Sequence, residues 1–109
     1  MDERTFRQTV DAIYARVLKR LDLEDPDVIE GEMNAGVVRI RASRGQVYVL
    51  NVQPPLQEVW YAAGDRAWHF KLADDHWVDP RNGEELGAIL DETVSKAAGK
   101  AIHFALWQF

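Results

Sequence analysis

A chain of 109 residues that is 47% apolar fits one compact domain (1–109) with a real hydrophobic core. Its formal net charge of −5 argues against a general nucleic-acid binder and is compatible with cations or a basic protein partner. It contains no Cys, which excludes structural disulfides, redox CxxC chemistry, a cysteine nucleophile and thiolate ligation of an iron–sulfur cluster.

No apolar run approaches membrane-spanning length, and Met1-Asp2-Glu3-Arg4 has no signal or transit pattern, so a soluble cytoplasmic protein is expected. From Asp2 to Leu21 the residues Phe6, Val10, Ile13, Tyr14, Val17, Leu18 and Leu21 recur every three or four positions. That spacing predicts an amphipathic helix with Asp2 as N-cap and Lys19 and Arg20 at the end favoured by the macrodipole.

The following stretch, from Asp22 to Glu32, is acid-rich, lacks Lys, Arg and His, and carries Pro26 as a helix stop. Asp22, Glu24, Asp25, Asp27, Glu30 and Glu32 are its candidate metal ligands, because carboxylate oxygens suit hard or borderline cations such as Mg²⁺, Ca²⁺, Mn²⁺ and Fe²⁺. Their spacing fits no EF-hand, so any ion would be held weakly, through water, with little selectivity. The competing reading is a solvated acidic loop.

Short strands are predicted next: 29–33, 37–42, 46–52, 58–62 and 67–72, with a last one around Trp77, separated by turn residues. Connections this short favour antiparallel neighbours, giving a meander of about six strands. Alternation puts Leu50, Val52, Val59, Tyr61, Trp68, Phe70 and Leu72 on one face, and Asn51, Gln53, Glu58, Trp60, His69 and Lys71 on the other. A second helix should begin at Asn82, with Asn82 as cap and Glu85 reaching back to it. Leu86, Ile89, Leu90, Thr93, Val94 and Ala97 form its stripe, and Gly99 closes it. Two helices with one apolar side each bury themselves on the same sheet face. The expected fold is therefore α+β, a two-layer sandwich of two helices on an antiparallel sheet of about six strands, with one sheet face open. On that face Trp60 lies among amides, which suits binding, unless the chain covers the indole itself. The uncharged aromatic tail, 100–109, is expected to pack back on the helices rather than serve as a partner-binding tail.

No nucleophile elbow, P-loop, dinucleotide fingerprint or HExxH helix occurs, and no catalytic residues are expected. His69 and His76 lie on adjacent predicted elements, where they are surface histidines or share an ion with Asp74 or Asp75.

The order Asn51, Gln53, Pro55, Gln57, Trp60 resembles the Asn-x-Gln-x-Pro-x-x-Gln-x-Trp signature of the frataxin family. Trp68-His69-Phe70 and the run from Trp77 to Leu86 resemble the family's later strands and second helix, so the likeness covers about residues 6–99 and is greatest to the bacterial CyaY-type members. The resemblance implies an α-β sandwich and a non-catalytic accessory protein of iron–sulfur cluster assembly, working with cysteine desulfurase and the scaffold protein. It also implies an acidic ridge that binds iron weakly and meets the desulfurase, here Asp22, Glu24, Asp25, Asp27, Glu30 and Glu32. Asn51, Gln53, Gln57, Trp60 and Arg81 become candidate partner-binding residues. Two departures stand out: Leu18 and Lys19 occupy places where ridge acids would begin, and Val52 is neutral where the family commonly has Lys or Arg. The protein is expected to be a monomer, with metal-dependent oligomers as an option. An iron-storage or ferroxidase protein, and a peptide-binding domain unrelated to iron, are the competing readings.

Overall fold

The computed structural model describes residues 1–106. Helix α1 spans Glu3–Leu21, and the Asp2 carboxylate caps it by accepting from the Thr5 amide at 2.7 Å. Its buried stripe is Phe6, Val10, Ile13, Tyr14, Val17 and Leu21. Six strands follow: β1 (Ile29–Asn34), β2 (Val37–Ala42), β3 (Val47–Gln53), β4 (Glu58–Ala63), β5 (Arg66–Ala73) and β6 (His76–Val78). They lie in sequence order in one sheet, and every neighbouring pair is antiparallel. A single 3₁₀ turn, Pro54–Leu56, joins β3 to β4. Helix α2 spans Leu86–Ala98 and ends at Gly99, whose φ of 71° is the left-handed conformation that glycine supplies at least cost. The expected two-layer α+β sandwich is therefore what forms.

The core lies between the helices and one sheet face. Ile29, Val38, Ile40, Leu50, Val59, Tyr61, Trp68 and Phe70 are buried there against Ile13, Val17, Leu90 and Val94. The layers touch closely: a Cβ added at Gly31 of β1 would lie 2.8 Å from Leu21 Cδ1. After α2 the chain turns back. Ser95 Oγ accepts from the Ile102 amide at 2.9 Å and donates to its carbonyl at 3.1 Å, and Asp91 Oδ1 accepts from the Phe104 amide at 2.9 Å. Ile102, Phe104 and Leu106 are buried in the common core. The last part of the expected tail packing, residues 107–109, lies outside the described residues.

Two expectations need correction. Helix α2 does not start at Asn82. Glu85 is its N-cap, extended at φ −111° and ψ 139°, with its carboxylate accepting from Gly87 and Ala88. Gly83 in the left-handed region and a bridge between Val78 and Glu85 keep 82–85 out of the helix, and Asn82 instead accepts from the Glu84 amide within the turn. Leu72 is exposed rather than buried. It sits where β5 pairs with the three-residue β6, at the margin of the sheet, and lines an open cavity with Gln8, Thr9, Ala12 and Ile13 of α1.

Candidate functional site: the uncovered sheet face

The same alternation that buries Leu50 and Tyr61 turns their neighbours to the other face, which carries no helix. Asn51, Trp60 and His69 are directly paired across β3, β4 and β5. The Trp60 and His69 rings stack at 4.0 Å with only 8° between planes. Two nearly parallel rings this close are in direct stacking contact, so each ring holds the other flat. The Trp60 indole N–H donates to Glu58 Oε1 at 2.8 Å, and Lys71 Nζ lies 3.6 Å from the other Glu58 oxygen. Trp60 is thus half-buried by its own neighbours, its polar end satisfied. Its exposed part is flat apolar surface, not a free donor.

Gln53 shares this face across from Glu58. Gln57 does not: it follows the 3₁₀ turn in the left-handed region and donates its side-chain amide to the Met1 carbonyl. Val52 lies on the helix side, partly buried against the core, so its neutral side chain suits its surroundings there.

Arg81 is held at the sheet edge. Past the end of β6, side chains take over the ladder: Asp79 Oδ2 accepts from the His69 amide at 3.2 Å, and Arg81 Nη2 donates to the Ala67 carbonyl at 2.9 Å. Arg81 also grips Asp79 through Nε and Nη2, at 2.8 Å for the shortest contact. The Asp79 side chain is fully buried while that of Arg81 is 62% exposed. The Arg81 guanidinium, more than burial opposes it, holds the Asp79 carboxyl down at about 2. Sequence reasoning missed Asp79; its place in Val78-Asp79-Pro80-Arg81 gives no periodic signal.

The acidic candidates are divided between two places. Asp22, Glu24, Asp25 and Asp27 lie on the α1–β1 connection. Asp25 Oδ1 caps the Asp27 amide at 2.9 Å, and Glu24 is clasped by Lys100 at 2.7 Å and Arg20 at 2.8 Å. Those two cations, Lys100 first, lower the Glu24 carboxyl below its ordinary range. Glu30 and Glu32 instead face the open side of β1, paired across from Arg41 and Arg39, and Arg41 donates to Glu32 at 2.9 Å. Strand parity carries this signal in the sequence, since Ile29 and Gly31 face the helices. Among the described residues no three His, Asp or Glu side chains gather into a group able to hold a metal ion. No helix among them is long and apolar enough to cross a membrane.

A family model for the frataxin-like domain matches residues 1–100. Iron-sulfur cluster assembly protein CyaY of Paraburkholderia phymatum is 34% identical over 105 residues, covering 96% of this chain and 99% of that protein. Frataxin from Psychromonas ingrahamii superposes with a TM-score of 0.86 over 96% of this chain and 99% of that one; at 21% identity this speaks for the fold alone. Trimeric frataxin from Saccharomyces cerevisiae, in a structure complexed with ferrous iron, is 33% identical, with a TM-score of 0.71 over 92% of this chain and 88% of its own.

Proposed function

The chain belongs to the frataxin family, and from that premise we propose that it is a non-catalytic accessory protein of iron–sulfur cluster assembly. Its uncovered sheet face docks on the cysteine desulfurase and scaffold complex, with Trp60 as the anchor and Asn51, Gln53 and Arg81 around it. One observation carries this reading: a half-exposed indole, stacked on His69 and fixed through Glu58, sits on a sheet face that no helix covers. A rigid aromatic already held in place loses little freedom on binding, which is what interface hot spots share. Gln57, tied to Met1, supports the turn rather than the contact.

Iron is bound weakly as cargo at the α1–β1 connection. Asp22, Asp25 and Asp27 present carboxylates there without a converging set, so contact through water is favoured over direct ligation. Glu24 contributes less because Arg20 and Lys100 already occupy it. Glu30 and Glu32 belong to the docking face and act by charge on the partner.

Binding of purified desulfurase to the protein and to Trp60→Ala tests the docking reading. A loss of at least about tenfold in affinity is expected for an anchor of this kind. Equal affinity for both proteins would contradict it. For iron, an anaerobic Fe²⁺ titration should broaden amides in 22–27 before any others, and uniform broadening would remove the cargo role.

A further inference from the structure

We propose that the uncovered face receives an extended segment of the partner protein in which two carboxylates flank one aliphatic side chain. This rests on the docking reading above and specifies the chemistry of what docks. The floor of the site is a single cross-strand row, Val49, Ala62 and Ala67, whose small side chains leave a trough. The trough is a cavity of about 160 Å³ walled by Asn51 and the stacked Trp60 and His69. A cavity of about 150 Å³ is enough for a benzene-sized apolar group, so a Leu or Ile side chain fits.

A guanidinium stands at each end of this row. Arg39, half-buried, is paired across from Val49 and makes no hydrogen bond or ion pair among the described residues. Its neighbour Glu32 is taken by Arg41. At the other end Arg81 spends Nε and Nη2 on Asp79 and the Ala67 carbonyl, while its Nη1 makes no bond among the described residues. The face's carboxylates are placed differently: Glu58 is held by Trp60 and Lys71, and Glu30 sits at the outer edge on β1. The charged groups that flank the trough with bonding positions to spare are therefore guanidinium donors, and they call for carboxylate acceptors.

The spacing selects the ligand's form. From β2 to β5 is three strand steps, about 14 Å at roughly 4.8 Å each, and an extended chain rising about 3.3 Å per residue covers that in four residues. Side chains two apart share a face, so positions i, i+2 and i+4 point down together. Carboxylates at i and i+4 meet Arg39 and Arg81, and an aliphatic residue at i+2 drops into the trough.

The probe is an acetylated and amidated peptide, Ser-Asp-Ser-Leu-Ser-Asp-Ser, added to the ¹⁵N-labelled 109-residue chain up to about 5 mM, as weak contacts of this size require. A control peptide carries Asn at both Asp positions. Saturable shifts are expected at Val49, Ala62, Ala67, the Asn51 side-chain amide and the Trp60 indole N–H, with the Asn control at least fivefold weaker. Arg39→Glu should weaken the acidic peptide at least fivefold, and Lys96→Glu, the same charge change at an exposed position of α2 in the helix layer, should not. Equal binding of the two peptides, shifts outside the trough, or no saturable shift overturns the proposal. Desulfurase affinity is measured alongside. If Trp60→Ala weakens desulfurase binding while the peptides are not distinguished, the docking reading stands and the carboxylate inference falls; if neither result appears, both fall.

Discussion

At the scale of single residues, Asp79 ties the site to the stability of the molecule. Its carboxylate is fully buried and satisfied by the Arg81 guanidinium and two backbone amides, those of His69 and Arg81. A group lowered from its ordinary 3.8 to about 2 contributes stability that is complete above the unfolded value and is lost as pH falls through the folded one. Protonating it should remove about 2 kcal/mol, chiefly between roughly pH 4 and pH 2. Arg81→Ala takes away the largest cause of the shift. The Asp79 carboxyl should then titrate above 2, and acid unfolding should begin at higher pH. A ¹³C titration of the Asp79 carboxyl checks this; an unchanged midpoint would show that the backbone amides alone hold the charge. Asp79→Asn, which strands Arg81 and weakens acceptance from the His69 amide, should cost about 2 kcal/mol in urea unfolding.

Among the elements, helix starts and strand faces show how far pattern reading goes. The stripe of α1 and its Asp2 cap are legible because spacing, cap and charge all agree. The start of α2 departs from the capping-box expectation for a physical reason. Asn82 and Glu85 have the spacing of a capping box, yet the bridge to Val78 draws Glu85 into extended backbone, and a residue there can cap a helix but not belong to it. Glu85→Ala should therefore destabilise the protein by about 1 kcal/mol, and Asn82→Ala, which loses one turn bond, by less. Reversal of that order in thermal unfolding would restore Asn82 as the cap. The acidic stretch was legible as composition but not as placement, because charge alone does not separate a loop acid from a strand acid. Alternation does, and it moves Glu30 and Glu32 to the face of Trp60. Tight contact at Gly31 is invisible in sequence. Gly31→Ala must push aside Leu21 Cδ1 and Leu18 Cδ2, both ends of flexible side chains, so a cost of about 1 kcal/mol is expected.

In the whole molecule, the division of labour follows from two layers. One sheet face is buried in the core with α1, α2 and the returning segment through Leu106, and the proposed docking uses the other. The returning segment is part of the fold. Phe104 is buried and its amide is anchored on Asp91, so Phe104→Ala should cost about 3 kcal/mol, whereas Trp60→Ala on the far face should cost far less stability while losing binding. Separating those two effects is what an α-β sandwich with one open face requires. Sequence pattern located that face. It left the Trp60–His69 stack, the Lys71 contact to Glu58 and the Asp79–Arg81 edge unseen, since each joins residues on different strands or in a turn with no periodicity.

Amide chemical-shift mapping of the protein with purified cysteine desulfurase, at low and high salt, decides whether the uncovered face docks. Docking there should perturb Val49, Asn51, Trp60, Ala62, Ala67 and His69, with the perturbations weakening as salt rises. Perturbations confined to the outer faces of α1 and α2, with the Trp60 row unchanged, would contradict it.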